Sequence, residues 1–320
     1  MADVLKNKID FVALISVSMA NPNGDPLNGN RPRQNQDNLG EMSDVCIKRK
    51  IRNRMLDLDE DVFVQSDDRK KPGDTYNSLK ERADSEIGTV KKAGGVKRGT
   101  SKKAGKAKDN EESGGNALTR EEFAKRACEK YLDVRSFGQV FAFSGDEEDS
   151  GKSGGTSVSV RGPVSVHQAT SMDSVEIESM QITKSVNGSL SEDRKGNDTM
   201  GMKHFIRFGL YMVKGSINVQ LAEKTGFTEE DAQTVKECLR TLFVNDASSA
   251  RPDGSMEVVK LFWFRHNCKD GQCSSAKVHH SVIVSRKDKN KTPENFGDYT
   301  VTVDAAELNG LAWEDVEGVQ

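Results

Sequence analysis

An alternation of side chains begins at residue 9 and predicts a β-strand. Between residues 9 and 19 one set of alternate positions is wholly apolar: Phe11, Ala13, Ile15, Val17 and Met19. A period of two places successive side chains on opposite faces of a sheet, so we expect this face to be buried. Residues 21–33 follow with two Asn-Gly pairs and three prolines. That composition predicts a long shaped loop without helix or strand.

A helical period begins after this loop and predicts a helix over residues 43–58. Ser43 has the side chain of a helix cap, and Asp44 lies in the first turn, where the helix dipole favours a carboxylate. Positions three or four apart share a helix face. The predicted buried stripe is Ile47, Ile51, Met55 and Leu58, and a second face groups Lys48, Arg49 and Arg52.

Later segments predict an α+β fold with a ferredoxin-like core. Thr119 and Glu122 have the spacing of a capping box for a helix that ends near Leu132, and a helix begins at Thr228. Strands are predicted over residues 158–160, 164–166, 206–221, 258–264, 278–284 and 299–303. The strand–helix–strand order at 206–264, with a strand and helix at 9–58, is typical of the class that includes the RNA-recognition motif.

Two segments break the pattern and are predicted to be insertions. Hydrophobic residues are only 34% of the chain, so part of it must be polar loop. Residues 67–116 hold a polar helical stretch near 76–87 and eight basic residues from Lys91 to Lys108, and we predict a basic, largely mobile insertion that buries little surface. Residues 184–203 predict a smaller protrusion. The core is then residues 1–66, 117–183 and 204–320.

Composition narrows the class of protein. A net charge of −3 argues against a chain that is basic overall, although basic residues gathered on one face still bind phosphate. No apolar run approaches the length of a membrane span, the first ten residues have no signal-peptide core, and five cysteines are an odd number for a disulfide framework. We therefore expect a cytoplasmic protein without a membrane partner.

The first candidate site combines loop 21–33 with the basic helix face. Glycines let a backbone approach a phosphate closely, Asn side chains and free backbone N–H groups donate to its oxygens, and the three basic residues add charge. The alternative interpretation is a tight loop beside a solvated helix face without a ligand. Composition alone favours this alternative over a binding site. The tract 91–108 either binds nucleic acid electrostatically, without sequence preference, or is a solvated loop. Its lack of aromatic residues argues against base stacking.

Metal binding and catalysis are weaker hypotheses. One C-terminal set suits zinc by residue type: His266, Cys268, Cys273, His279 and His280. The set lacks a Cys-x-x-Cys pair, and His280 fits the buried face of the predicted strand 278–284. We expect no metal and no cofactor. Asp25, in the loop, is the single carboxylate placed for a metal-assisted cut, and the chain is expected not to be an enzyme.

Several motifs along the chain carry a resemblance to a known family. They are Ala20-Asn21-Pro22-Asn23-Gly24-Asp25-Pro26, Arg31-Pro32-Arg33, Ser43–Asn53, Asp133-Val134-Arg135-Ser136-Phe137-Gly138, Arg161-Gly162-Pro163-Val164, Thr199–His204 and Phe208-Gly209-Leu210-Tyr211. Together they resemble the backbone subunit of the type I-C CRISPR Cascade effector complex (the Csd-two family within Cas seven), with the type I-B relative as the second match. Asn35 stands where the family has an acidic residue.

The resemblance implies a hand-shaped subunit. Its palm would be a modified RNA-recognition motif, its fingers residues 67–116 and its thumb hairpin residues 184–203. Copies would oligomerise as a helical filament along the spacer part of the crRNA and present it for pairing with target DNA. Other Cascade subunits and a recruited helicase-nuclease would be further partners, and the helicase-nuclease would do the cutting. Backbone contacts would position the RNA while base pairing reads sequence.

The resemblance also implies roles for individual positions. The RNA-binding residues would be Asn21, Asn23, Gly24, Arg31, Arg33, Lys48, Arg49 and Arg52; the thumb wedge Met200 and Met202; and the possible DNA contacts Lys91, Lys92, Lys97, Arg98, Lys102 and Lys103. Two alternatives stay open. One is a type III-like backbone subunit that cleaves RNA with a metal at Asp25, and the other is a general single-stranded RNA-binding protein.

Overall fold

The computed structural model describes residues 3–70, 73–90, 117–142, 157–183 and 200–319. The α-helices in these ranges are α1 Asp44–Asp57, α2 Leu79–Glu86, α3 Arg120–Lys130, α4 Leu132–Phe137, α5 Val219–Thr225, α6 Glu229–Arg240 and α7 Ser275–Ser281. The strands are β1 Ile9–Ala20, β2 Gly24–Asp25, β3 Arg31–Pro32, β4 Leu39–Met42, β5 Gly138–Ala142, β6 Ser157–Arg161, β7 Val164–Val166, β8 Ala169–Ser174, β9 Ile177–Thr183, β10 Met200–Ile217, β11 Met256–Arg265, β12 Val282–Arg286, β13 Tyr299–Val303 and β14 Ala312–Val316. None of these helices combines the length and hydrophobicity that crossing a lipid bilayer requires.

An antiparallel sheet organises the described residues. Its strands lie in the order β14-β11-β1-β10-β8-β4, and β7 and β9 pair with other stretches of β10. β1 runs through the middle, with Ile9 opposite Ile217 of β10 and opposite Arg265 of β11. Residues 9–17 of β1 are buried without a break, on both faces of the strand. Such a strand needs partners on both edges and cover on both faces, which a central position supplies.

Helical crossovers join parallel strands of this sheet. The segment from α1 to α4 lies between β1 and β8 in the chain, and α5 and α6 lie between β10 and β11. β10 runs antiparallel to β1 and β8, and β1 also runs antiparallel to β11. Each crossover therefore links two parallel strands that flank an antiparallel one. The predicted mixture of helices with a large sheet is confirmed.

The first core lies between the sheet and helices α1, α5 and α6. It joins alternate residues of β1 to the apolar stripes of the helices: Phe11, Ala13, Ile15 and Val17 with Ile47, Ile51, Met55, Val235 and Leu239. Burial of this apolar surface is the main stabilising term for such a layer. The two predicted stripes are confirmed except at their ends. Leu58 follows α1 as its exposed C-cap, and Met19 has a φ of 51° and is half exposed.

The second core covers the opposite face of the sheet. Val12 and Leu14 of β1, Leu210 of β10 and Phe262 of β11 pack there against α7, β12 and β13. The predicted strand 278–284 is wrong in its first half, because the side chain of Ser274 accepts a hydrogen bond from the backbone N–H of Lys277 and starts helix α7. This face of the sheet is therefore closed by the chain itself.

A third core joins α2, α3, α4 and the β5–β6 hairpin. Phe141 packs against Phe63 and Phe123, with ring centroids 5.1 and 5.0 Å apart, and Ala83 and Ile87 of the predicted insertion are buried in the same cluster. The expectation that segment 67–116 buries little surface needs correction over residues 79–87. Ala83 and Ile87, one helical turn apart, attach α2 to a core supplied by other elements. Residues 91–116 lie outside the described residues.

Strand β10 is 18 residues long and extends beyond its pairing with β1. Its residues 206–217 pair with β1, whereas Met200–Ile206 pair with β9. We call Ile177–Thr183 with Met200–Phe205 the arm; six residues of strand reach roughly 20 Å. The predicted strand 206–221 is thus corrected at both ends. It begins at Met200, and it ends at Ile217 because Asn218 caps α5 by accepting a hydrogen bond from Leu221 N.

Candidate nucleic-acid interface

The loop after β1 folds into a small hairpin. β2 pairs with β3, and a turn of 3-10 helix at Pro26–Asn28 joins them. The Asp25 side chain caps that turn by accepting a hydrogen bond from Leu27 N at 3.3 Å. The expectation of a loop without strands is wrong here, because a ladder of two residues per strand needs no alternating pattern. The hairpin holds the Leu27 side chain almost wholly in solvent.

Asn21 and Asn23 attach this hairpin to the body of the protein. Asn21 is buried, and its Nδ2 donates to the Asn30 carbonyl at 2.7 Å. Asn23 Oδ1 accepts a hydrogen bond from the backbone N–H of Ser43 at 2.9 Å, next to the start of α1. Both amides are therefore engaged with the chain's own backbone. The geometry gives them the role of setting the hairpin against α1.

Arg31 and Arg33 bring the positive charge of the hairpin to the surface. Arg33 Nη2 lies 3.4 Å from Asp25 Oδ1, and 40% of the Arg33 side chain is exposed. Arg31 Nη1 donates to Ser179 Oγ at 3.4 Å, and Ser179 Oγ lies 2.8 Å from His204 Nδ1. Ser179 and His204 face each other across the two strands of the arm. The hairpin and the arm therefore meet at Arg31.

The first turns of α1 lie beside the hairpin. Ser43 Oγ accepts a hydrogen bond from Cys46 N at 3.2 Å, which confirms the predicted cap. Lys48 Nζ lies 3.0 Å from Asp44 Oδ2, one turn earlier, and both Lys48 and Arg49 are half-buried. An ion pair of this kind on a partly solvated face contributes about 0.5 kcal/mol. Lys48 can therefore exchange Asp44 for a phosphate at little cost.

Arg52 points into the protein instead. Its Nε donates to Asp133 Oδ2 at 2.9 Å, its guanidinium lies 5.1 Å from the centre of the Phe137 ring, and only 13% of its side chain is exposed. The predicted basic face is thus divided. Lys48 pairs with Asp44 in the first turns of α1, whereas Arg52 fastens α1 to α4. The geometry gives no support to a phosphate contact by Arg52.

Lys50, which the sequence pattern did not single out, is also turned inward. It is buried and forms an ion pair with Asp246, and Asp246 also lies 3.1 Å from Arg251 Nε. Burial lowers the pKa of Lys50, an effect that the charge of Asp246 opposes. This group ties α1 to the segment after α6, whose Ala250 carbonyl accepts the Asn21 N–H at 2.9 Å. The ion pairs therefore stabilise the segment to which Asn21, before the hairpin, is hydrogen-bonded.

The arm presents apolar side chains on both of its faces. Residues directly opposite each other in an antiparallel pair project to the same side. Met200 and Met202 stand opposite Thr183 and Gln181, and the other face carries Met180 and Ile182. All four apolar side chains are exposed. Large exposed apolar surface marks an interaction site.

The structure describes only some of the residues predicted for the thumb and for the DNA contacts. Met200 and Met202 were expected near a thumb, but Met180 and Ile182 were not recognised, because their alternation with Gln181 and Thr183 is short and gives a weak strand signal. The pairing with β10 is what brings them into the arm. The predicted DNA contacts lie outside the described residues: Lys91, Lys92, Lys97, Arg98, Lys102 and Lys103. Residues 184–199 of the predicted thumb lie outside them too.

His266 forms a hydrogen bond with the buried carboxylate of Asp10. His266 Nε2 lies 2.8 Å from Asp10 Oδ2, and His266 Nδ1 accepts a hydrogen bond from Gln272 N, so the ring proton is on Nε2. Burial raises the pKa of Asp10, but the hydrogen bonds from His266 and Ser275 and the charge of Lys8 outweigh burial and hold that pKa below its usual value.

The other residues that suit zinc by type do not join His266 in a metal site. His279 Nε2 donates to the Gly215 carbonyl at 2.9 Å, and His280, predicted to be buried, is exposed because α7 turns it outward. Within the described ranges, no three His, Cys, Asp or Glu residues are grouped so that they could hold a metal ion. Where a strand was expected, the helix rotates adjacent residues by about 100° rather than 180°, which moved His279 inward.

The chain belongs to the Cas7 family. The sequence profile described as CRISPR-associated protein Cas7 matches residues 7–304. A protein described as CRISPR-associated protein Cas7 from Haloferax volcanii is 25% identical over 245 residues, which are 74% of this chain and 64% of that protein. The chain therefore spans slightly less than two thirds of the length of this relative.

Two solved structures are similar to the chain. One is described as a CRISPR RNA-guided surveillance complex, pre-nicking, with 16% identity, a TM-score of 0.49, and coverage of 88% of this chain and 83% of that chain. The other is described as a CRISPR RNA-guided surveillance complex, with 14% identity, a TM-score of 0.41, and coverage of 88% of this chain and 77% of that chain.

Proposed function

We propose that this chain is a non-catalytic, crRNA-binding backbone subunit of a CRISPR interference complex of type I-C. Membership of the Cas7 family supports the CRISPR assignment. The observation that carries the RNA-binding role is the meeting of hairpin and arm at Arg31 and Ser179. That contact puts half-exposed arginines next to exposed apolar side chains, and nucleic acid offers phosphates and base faces for these two kinds of group.

The order of the central strands supports a modified RNA-recognition palm. β11-β1-β10-β8, with two split crossovers, is the arrangement of a ferredoxin-like sheet. An RNA-recognition motif stacks bases on the open face of that sheet. Here α7, β12 and β13 cover the corresponding apolar face. The RNA path in our proposal therefore runs along the hairpin and the arm, at the C-terminal end of β1.

The proposed contacts to RNA differ from the full set suggested by the sequence. Arg31, Arg33, Lys48 and Arg49 contact phosphates, and the backbone at Gly24 lies close to the RNA. Asn21 and Asn23 set the position of the hairpin, and Arg52 stabilises the fold. Phosphate contacts do not read sequence, so the same surface serves any spacer.

The arm provides the link between copies in this proposal. Each copy lays its arm against the RNA held by the next copy, so that subunits repeat along the crRNA spacer and leave bases free for target DNA. The other Cascade subunits bind the ends of this array, and a recruited helicase-nuclease cuts the DNA. The basic tract with Lys91 and Arg98 is proposed to contact DNA.

A metal-dependent RNA cut is the alternative that involves Asp25. One carboxylate oxygen of Asp25 already accepts the Leu27 N–H and faces Arg33, so a metal ion would compete with both groups. We expect no cleavage of bound RNA with magnesium or manganese. Cleavage by the wild type that disappears in Asp25→Ala would overturn the non-catalytic proposal.

Sequencing of copurified RNA tests the partner. The chain is expressed with its neighbouring genes and a CRISPR array, and the RNA that it retains is sequenced. We expect repeat-flanked RNA of uniform length. Mixed cellular RNA would instead support a general single-stranded RNA-binding protein.

A matched pair of variants tests the site. Arg31→Ala with Arg33→Ala removes the charge of the hairpin, and Arg265→Ala serves as the control. Arg265 is 44% exposed and paired with Glu229, much as Arg33 is paired with Asp25, but it faces Ile9 at the far end of β1. Loss of two phosphate contacts should reduce the slope of log affinity against log salt by about 1.4 for single-stranded RNA. An equal slope for both variants would contradict this site.

A further inference from the structure

The methionines in the described part of the chain differ sharply in exposure. Three lie on the arm, where Met180, Met200 and Met202 are 53%, 67% and 54% exposed. Four lie in the cores and are buried: Met42, Met55, Met212 and Met256. Met19 is 50% exposed but lies at the end of β1, outside the arm. The exposed thioethers are thus concentrated on the segment proposed to contact RNA.

We propose that Met180, Met200 and Met202 are an oxidation site through which hydroperoxides inactivate the free subunit. This inference rests on the proposed function of the arm. Hydrogen peroxide transfers one oxygen atom to the thioether sulfur, which loses two electrons. The O–O bond breaks, an S–O bond forms, and the peroxide's remaining oxygen leaves as water with both hydrogens. The product, methionine sulfoxide, is polar and chiral.

The pairing in the arm means that oxidation changes the polarity of both of its faces. Met200 and Met202 lie on one face and Met180 on the other, so oxidation introduces sulfoxides on both faces of a two-stranded ribbon. Gln181 Nε2 lies 2.8 Å from Met200 Sδ and becomes a donor to the stronger sulfoxide acceptor. The arm is proposed to contact its partner through apolar side chains. After oxidation these side chains carry polar sulfoxides, and removing the sulfoxides from water opposes a dry contact.

Most of the thiols of the chain compete poorly for peroxide. Burial raises the pKa of Cys128 to about 11 and that of Cys238 to about 12, so both stay protonated at neutral pH. Burial also raises the pKa values of Cys46 and Cys273. Since the thiolate is the reactive form, these residues react slowly. Cys268 is exposed and needs its own control.

Assembly should protect the arm. When the arm lies against RNA and a neighbouring copy, its sulfurs are covered, and peroxide reaches them only after dissociation. The oxidation site therefore acts on free chains and spares assembled ones. Reduction by the two methionine sulfoxide reductases, one for each epimer, restores the original side chains.

The test treats the purified full chain with hydrogen peroxide and locates the added oxygen by peptide mass mapping. We expect Met180, Met200 and Met202 to be oxidised before the four buried methionines, and bound crRNA to slow their oxidation. RNA affinity of the treated chain should fall by about tenfold or more. Both sulfoxide reductases together should reverse the loss.

The matched variant replaces the three arm residues at once, as Met180→Leu, Met200→Leu and Met202→Leu. Whatever its starting affinity, the ratio of its affinities after and before peroxide should stay near one. Met19 and Cys268 remain in this variant, so an equal loss in it would assign the effect to them and overturn the proposal. Unchanged affinity of a wild type whose arm is fully oxidised would overturn it as well. Failure of the untreated chain to bind RNA would instead reject the proposed function, with mass mapping still deciding the order of oxidation.

Discussion

Arg52 and Asp133 form an ion pair that joins α1 to α4, with Arg52 Nε 2.9 Å from Asp133 Oδ2. The same carboxylate accepts hydrogen bonds from the backbone N–H groups of Phe63 at 2.7 Å and Val64 at 3.1 Å. Three donors from two segments therefore converge on one buried acidic side chain. The helix pattern groups Arg52 with Lys48 and Arg49 on one face. Its contacts show instead that Arg52 stabilises the fold and is not a surface charge.

Loss of this carboxylate should destabilise the protein severely. Asp133→Ala leaves the Arg52 charge and the N–H groups of Phe63 and Val64 without their acceptor, which should lower the free energy of unfolding by about 3 kcal/mol or more. Arg52→Ala should lower it by about 2 kcal/mol, since Asp133 keeps both backbone donors. Urea unfolding measures both values.

RNA affinity separates this structural role from a binding role. Arg52→Ala should bind RNA with nearly wild-type affinity at a temperature where it is folded, whereas Arg31→Ala with Arg33→Ala should weaken binding and leave the unfolding midpoint unchanged. The reverse result, with Arg52→Ala stable but unable to bind, would return Arg52 to the phosphate site.

Gly138 and Gly162 should tolerate no side chain. A Cβ at Gly138 would lie 2.3 Å from the Val160 carbonyl oxygen, and one at Gly162 would lie 2.2 Å from the Ser136 carbonyl oxygen. Gly138 also has a φ of 76°, which favours glycine. We expect Gly138→Ala and Gly162→Ala to lose several kcal/mol or fail to fold, measured by soluble yield and thermal unfolding. Gly254→Ala is the control, since its positive φ of 75° occurs with no atom near the added Cβ.

Stability should fall as pH drops below neutrality. Burial lowers the pKa of His279, helped by the charges of His167 and Lys214 and opposed by the Gly215 hydrogen bond and by Asp10. The unfolded chain, with an ordinary histidine pKa of about 6.5, takes up its proton first, so stability is complete above that pH and declines below it. The lowered pKa of Asp10 acts in the same direction but only below about pH 4.

The melting temperature between about pH 7.5 and pH 5.5 checks this assignment. His279→Gln keeps a donor for the Gly215 carbonyl but has no proton to gain, so its melting temperature should depend less on pH. His280→Gln is the matched control, because His280 is exposed on the same helix. Equal slopes for the wild type and His279→Gln would contradict the prediction.

Polar substitution on the arm should weaken RNA binding without loss of stability. Met200→Ser with Met202→Ser removes two exposed apolar side chains, and we expect affinity to fall by about tenfold while the melting temperature changes little. Val140→Ser is the control, because Val140 is 59% exposed on β5, away from the arm. Filter binding with single-stranded RNA measures the affinities, and an equal effect of both changes would argue against the arm.

Local patterns predicted the elements whose burial is one-sided and regular. The stripe of α1 and the capping boxes at Thr119 and Thr228 are examples, because a helix signal is contained within a dozen neighbouring residues. The pattern failed at β9 and in the first half of the predicted strand 278–284, which is α7. In β9 the alternation of Met180 and Ile182 with Gln181 and Thr183 is too short for a clear strand signal, and α7 resembled a strand because its seven residues are too few to separate the two periods.

The sequence by itself determined the family motifs, the α+β class and the presence of basic residues near a glycine-containing turn, since each is a property of residue types and short spacings. The tertiary structure decided which of those residues face solvent. Arg31 meets Ser179, 148 positions away, and Arg52 meets Asp133, 81 positions away. Contacts over such separations depend on how strands and helices pack, so the charges that remain available to a phosphate were decided by the fold.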